Sequence, residues 1–180
     1  MRFFRAAPSP HQTALAMIGA KPGDRVLVIG ATDPDLVAAL AGVTGLNGTT
    51  LVAGVDDAAQ SLVRQAAEQA GTLVEFGPAS LALVPPGSFD IVVLLVGLRS
   101  LEPGARTATA RAGFEAARVG GRVVAIEGRR RTGFFGSRTK SASPEAMPAP
   151  DVTALLASTG GRAVRLLADA EGASYFEARK

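Results

Sequence analysis

Apolar positions along this chain follow two alternating rhythms. Short unbroken apolar runs, such as Val26-Leu27-Val28-Ile29 and Ile91-Val92-Val93-Leu94-Leu95-Val96, predict strands covered on both faces. Between them, apolar residues return every three or four positions, which predicts helices with one buried stripe. In order, the pattern predicts a helix over Pro10–Ala20, capped by Ser9 and carrying Leu15, Met17 and Ile18 as apolar contacts, then a strand over Val26–Ile29. A helix follows from Pro34 to about Val43, with Leu36, Val37, Leu40 and Val43 at helical spacing. A second strand runs Thr49–Val55. The next helix, Ala58–Ala70, turns Leu62, Val63, Ala66 and Ala67 inward and stops at Gly71. A short third strand covers Thr72–Phe76, and the fourth, Phe89–Val96, is the most apolar stretch. After the loop Gly97–Pro103 come an Ala-rich helix over Gly104–Val119, a Gly120-Gly121 turn and a fifth strand, Arg122–Ile126. Past a long loop, Gly128–Pro150, Asp151 caps a helix through Thr159. Two strands, Ala163–Ala168 and Ala173–Ala178, close the chain around the turn Asp169-Ala170-Glu171-Gly172.

Strands that alternate with helices predict an α/β domain with a parallel sheet between two helical layers. The terminal pair joined by a hairpin-length turn adds one antiparallel strand near an edge. No repeat or linker interrupts the pattern, so residues 1–180 read as one domain. The stretch Asp24–Asp35 organises it: a buried strand, a turn at Gly30, and a helix that Asp33 caps and Pro34 opens. Ligands of open α/β sheets sit at such turns.

Composition narrows the chemistry. Hydrophobic residues make up 47% and charged residues 19% of the 180, as expected for a folded soluble domain. There is no Cys and one His, which excludes thiol catalysis, disulfides and His-rich or Cys-based metal sites, so no metal site is expected. A net charge of +3 is too mild to imply nucleic-acid binding, and no nucleic-acid motif is present. No apolar run approaches the ~18 residues that span a bilayer, and no signal-peptide segment follows the basic, aromatic start Met1–Arg5. A cytoplasmic protein is expected.

Several blocks carry a resemblance. Lys21-Pro22-Gly23-Asp24-Arg25-Val26-Leu27 leads into the first strand, and Gly54-Val55-Asp56 ends the second. Pro85-Pro86-Gly87-Ser88-Phe89-Asp90-Ile91-Val92 enters the fourth, and Arg118-Val119-Gly120-Gly121-Arg122-Val123-Val124 enters the fifth. In this order, with the closing segment Gly160–Arg179, they resemble the class I methyltransferases that use S-adenosylmethionine, in particular the small-molecule branch that includes quinone-biosynthesis enzymes. The resemblance implies a Rossmann-like three-layer sandwich whose seven-stranded, mostly parallel sheet has one antiparallel strand near the C-terminus. It implies S-adenosylmethionine as cofactor, methyl transfer as the reaction and a small molecule as substrate. The implied cofactor contacts are Gly30, Ala31 and Thr32 beside the methionine part, Asp56 and Asp57 at the ribose, Ala79 beside the adenine, and Val96 and Gly97 near the reacting methyl group. A carboxylate suits the ribose because it offers only acceptors to two hydroxyls.

The chain also departs from that pattern. Val28 stands where the family carries an acidic residue, Thr32 and Pro34 replace later glycines, and Pro78 takes the place of another acid. Asp33 and Asp35 put negative charge where the cofactor's carboxylate approaches a helix N-terminus. The second reading is therefore a catalytically inactive protein of this fold that serves as a binding or assembly module. A nicotinamide-dependent oxidoreductase ranks third, because Gly30-Ala31-Thr32 begins a dinucleotide turn without its full glycine spacing.

Four further features bear on the chemistry. His11 is the candidate general base, with a solvated helix residue as its plain alternative. The segment Arg129–Lys140 sets basic residues around Phe134 and Phe135, which suits either a peripheral contact with an anionic, partly apolar partner or a solvated loop. Glu127 ends the fifth strand and is assigned a structural ion pair with one of those arginines. Phe3 and Phe4 are expected to pack on some apolar partner rather than stay in water.

Overall fold

The computed structural model describes residues 11–128 and 149–180. The features expected at Phe3, Phe4, Ser9, Pro10 and Arg129–Lys140 lie outside the described residues. Seven strands form one sheet: β1 (Arg25–Ile29), β2 (Thr49–Ala53), β3 (Glu75–Phe76), β4 (Phe89–Leu94), β5 (Ala117–Gly128), β6 (Arg162–Ala170) and β7 (Ala173–Arg179). Their order across the sheet is β3-β2-β1-β4-β5-β7-β6. The pairs among β1 to β5 are parallel, and β7 runs antiparallel to both β5 and β6. The one antiparallel strand is thus inserted beside the edge, with β6 outermost.

The helices are α1 (Gln12–Ile18), α2 (Pro34–Thr44), α3 (Asp57–Ala70), α4 (Pro103–Ala116) and α5 (Ala149–Ser158). Strand alternation sorts the core into two layers. Leu27, Ile29, Val92, Leu94, Val123, Ala125 and Phe176 pack against Phe114 of α4 and Val152, Leu155 and Leu156 of α5. Val26, Val28, Val52, Ile91, Val93, Val124 and Tyr175 pack against Ile18 of α1, Leu36, Val37 and Leu40 of α2 and Val63 of α3. β1 is buried from Val26 onward because helices cover both of its faces, as its unbroken apolar run predicts.

Several boundaries differ from the pattern for physical reasons. α4 ends at Ala116 rather than Val119, because Ala117 already pairs with Phe89. Gly120-Gly121 lies in a bulge within β5, where the register jumps between the pairs Phe89–Ala117 and Ile91–Arg122. Asp151 sits in the first turn of α5, which begins at Ala149, and is not its cap. Leu62 is 56% exposed, so the inner stripe of α3 is Val63, Ala66 and Ala67 alone. Glu171 and Gly172 both take positive φ, at 55° and 80°, the conformation of a two-residue hairpin loop whose twist suits its strands.

One charged cluster fixes α1 to the sheet. Arg122 of β5 donates Nη1 to Ile18 O at 2.7 Å and Nη2 to Met17 O at 3.1 Å, closing the last turn of α1. Its Nε donates to Glu177 of β7 at 2.5 Å, and Arg165 of β6 donates to the other oxygen of Glu177 at 2.7 Å. Burial pushes the Glu177 carboxyl up, but hydrogen bonds and charge from Arg165 and Arg122 outweigh it, so its pKa lies below the ordinary 4.5. A depressed carboxylate stabilises the fold above its unfolded pKa and loses that contribution as pH falls through the folded one. Glu177→Gln is expected to cost roughly 2 kcal/mol at pH 7, discounted because Arg165 is 67% exposed. It should also flatten the loss of stability between pH 5 and pH 3. Urea denaturation at several pH values measures both effects.

Candidate functional site

Gly30 leaves β1 at the carboxyl rim of the sheet, and its N–H donates to Ala53 O, the last residue of β2, at 3.0 Å. Gly54, Val55 and Asp56 continue from that point. Two sequence-predicted site residues, Gly30 and Asp56, therefore lie at the ends of neighbouring parallel strands on one rim. Ligands of open α/β sheets bind at this edge.

The turn at Gly30 is closed from the β4 side. Gly30 has φ +81°, and a Cβ there would stand 2.8 Å from Leu95 O and against Val96 Cγ1. Leu95 O also accepts from the N–H of Thr32 at 3.2 Å and from its hydroxyl at 3.1 Å. The glycine is demanded by the approach of β4, and its face toward β4 is already covered by Leu95 and Val96. Ala31 follows, partly buried, and Thr32 is exposed.

Asp33 caps α2 by accepting from Leu36 N at 3.0 Å, as its position predicts. Its other carboxylate oxygen lies 3.8 Å from His11 Nδ1. The structure thus brings His11, which begins α1, onto the same rim as the glycine turn. His11, Asp33 and Asp35 each place one ligand-type atom within 4.8 Å of the others. The sequence reading expected no metal site. This cluster is a gathering of one imidazole and two acids at a helix start, which occurs commonly without an ion. Tyr175 of β7 also feels the charge of Asp33. Burial first, then Glu171 and Asp33, push its phenol above the ordinary 10.0.

Asp56 caps α3, accepting from Ala59 N at 2.8 Å through Oδ1. The residue is exposed, and its second oxygen accepts from none of the described residues. Cap and ligand roles are compatible here, since one oxygen serves each. Asp57 is the first residue of α3 and does not cap it. A Leu81 methyl carbon lies over Gly54, 2.9 Å from where a Cβ on that glycine would stand, and Ala79, two residues earlier, is exposed.

Val96 and Gly97 follow β4 directly and lead into a 3₁₀ turn, Leu98–Ser100. This loop is fastened on two sides. Glu127, 5% exposed at the end of β5, accepts from Leu98 N at 2.7 Å and Arg99 N at 3.1 Å. Arg106 of α4 donates to Leu98 O at 3.1 Å and Leu101 O at 2.7 Å. Burial pushes the Glu127 carboxyl up, while those two N–H groups and the charges of Arg99 and Arg106 pull it back only in part. Its described partners are the backbone amides of Leu98 and Arg99, and the arginines of the expected ion pair lie outside the described residues. Arg99, Arg106 and Tyr175 escaped the sequence reading. For Arg99 a signal existed, because it stands three residues beyond Val96 in the loop at the end of a central strand.

No family model matches the chain, and no curated protein matches it. Solved structures do. A SAM-dependent methyltransferase from Aquifex aeolicus superposes with a TM-score of 0.72 at 18% identity, over 94% of this chain and 89% of that one. A SAM-dependent methyltransferase from Mesorhizobium loti gives 0.65 at 17%, over 96% and 99%. Magnesium protoporphyrin IX methyltransferase from Synechocystis, with bound SAH, gives 0.64 at 17%, over 93% and 79%. The fold is that of the S-adenosylmethionine-dependent methyltransferases. This bears out the Rossmann-like, seven-stranded architecture, while the likeness at these identities concerns fold alone. Among the described residues no helix is long and apolar enough to cross a membrane.

The closure at Gly30 has a measurable consequence. Gly30→Ala meets both a left-handed φ and a backbone oxygen that has no room to retreat. It is expected to destabilise the protein by roughly 2–4 kcal/mol, read as a lower urea midpoint.

Proposed function

We propose that this chain transfers a methyl group from S-adenosylmethionine to a small molecule, in the cytoplasm, and that it stands near the small-molecule branch of that fold. The observation that carries the reading is the pairing of Gly30 and Asp56 on adjacent strand ends, in a sheet ordered like those of methyltransferases holding SAM or SAH. The exposed carboxylate of Asp56, with one oxygen uncommitted, fits the two hydroxyls of a ribose. Asp57, Ala79 and Leu81 would border the nucleoside. Ala31 and Thr32 would flank the amino-acid end.

The fit differs between the two ends. Thr32 has spent its N–H on Leu95 O, and Asp33 and Asp35 carry negative charge at the start of α2. The amino-acid end is therefore held without a glycine cradle, against two carboxylates that attract its ammonium and repel its carboxylate.

The cofactor supplies an activated methyl on a sulfonium, so the protein's work is largely placement. The fastened loop Gly97–Leu101 gives one wall a fixed position beside the turn at Gly30. His11 is the imidazole at this rim that accepts the substrate's proton, and Asp33 at 3.8 Å balances the resulting charge.

The binding-module reading draws on one observation, the covering of Gly30 by Leu95 and Val96. Titration calorimetry with SAH separates the two. Micromolar to sub-millimolar binding supports the methyltransferase reading, and no heat at millimolar SAH overturns it. Asp56→Asn keeps a good helix cap, so stability should stay within about 0.5 kcal/mol while SAH affinity falls roughly tenfold. Asp35→Asn removes one charge whose attraction for the ammonium and repulsion of the carboxylate oppose each other, so SAH affinity should change by no more than roughly threefold, and by less in high salt.

A further inference from the structure

We propose that Arg99 is an anion-recognising residue that makes the acceptor pocket select a small molecule carrying a carboxylate or phosphate. The inference rests on the methyltransferase reading for the identity of the pocket, and on its own observations for the ligand's charge.

Arg99 sits in the 3₁₀ turn that follows β4, on the rim beside Gly97. Its backbone is not free to adjust. The N–H is held by Glu127 at 3.1 Å, and its carbonyl receives Arg106 Nη2 at 3.4 Å. The side chain is placed as well, with its guanidinium 5.9 Å from the centroid of the fully buried Phe176 ring. Such a guanidinium is pre-organised, because little rotamer freedom remains to be lost on binding.

Two features point to a missing anion. First, Arg99 Nε is shielded from solvent and has no hydrogen-bond acceptor among the described residues. A buried donor without a partner is costly, and native structures rarely leave one unmatched. Nε–H and one Nη–H form the parallel fork that takes a carboxylate or phosphate side-on. Second, the charges around the loop do not balance. Glu127 is the carboxylate that Arg99 and Arg106 both act upon, leaving one positive charge in excess among the three. Glu102, next to the loop, is exposed, and its side chain caps nothing. Arg106 has committed Nε and Nη2 to loop carbonyls, whereas the Arg99 guanidinium donates to none of the described residues.

The test uses benzoate as the anionic probe and benzamide as its neutral match. Each is titrated into the full chain, with and without SAH, and followed by backbone NMR shifts. Benzoate is expected to bind at millimolar concentration, at least about tenfold tighter than benzamide, shifting Leu98–Ser100. Arg99→Met should lose about tenfold in benzoate affinity and leave SAH affinity unchanged. If R99M fails to fold by circular dichroism, Arg99→Lys decides. It keeps the charge but lacks the fork, and should lose a smaller, measurable part of the affinity. Inorganic phosphate, titrated in parallel, tells which oxyanion fits better. Equal binding of benzoate and benzamide, no benzoate binding, or benzoate affinity unmoved in the folded variant overturns the proposal. A chain that binds benzoate through Arg99 but not SAH overturns the methyltransferase reading alone. A chain that binds SAH but not benzoate overturns this inference alone.

Discussion

The carbonyl of Leu95 holds the centre of this molecule together. It receives both donors of Thr32, and it presses so close to Gly30 that no side chain fits there. Leu95 N in turn donates to Ile29 O at 2.8 Å, so β1 and β4 stay zipped to the rim. Everything nearby follows from that junction. The path of the chain through Thr32 sets where Asp33 can cap α2, and the cap decides where its second oxygen meets His11. On the β4 side, Val96 and Gly97 leave the same junction and deliver Leu98 and Arg99 to Glu127.

Rigidity on this rim comes from charged groups bonded to backbone more than from pairs of charged side chains. Glu127 holds two N–H groups and Arg106 holds carbonyls of the loop, while at the opposite, amino edge of the sheet Arg122 holds the last carbonyls of α1. Glu127 and Arg122 tie a loop and a helix end to β5, and Arg106 ties the same loop to α4, where the chain would otherwise leave polar groups unmet. The elements that border the candidate site are thereby fixed before any ligand arrives. That suits a reaction in which alignment of two reactants supplies much of the rate.

The two ends of the site nevertheless differ in chemistry. At Asp56 a cap and an uncommitted acceptor coexist on one carboxylate. At Gly30 the turn is packed by its own neighbours, and acids rather than open amides greet a ligand. The glycine looks from the sequence like a cofactor cradle, and the structure gives it a packing duty as well. A Gly-to-backbone contact across two strands leaves no local trace, because Leu95 stands 65 residues along the chain.

By itself, the order of apolar and polar residues determined the elements, the two helical layers and the parallel centre of the sheet. Burial repeats with the period of the element that makes it, so a short window suffices. Helix caps at Asp33 and the stop at Gly71 were legible for the same reason, since a cap bonds only three or four residues away. Boundaries failed where distant pairing overruled local propensity, as at Ala117, which joins Phe89, and at Leu62, whose side of α3 faces water. Only the tertiary structure decided which charges meet. Glu127 reaches Leu98 across 29 residues, and Arg122 reaches Met17 across 105. Such partners are selected by the packed sheet that carries them to one place, and no nearby residue encodes the choice.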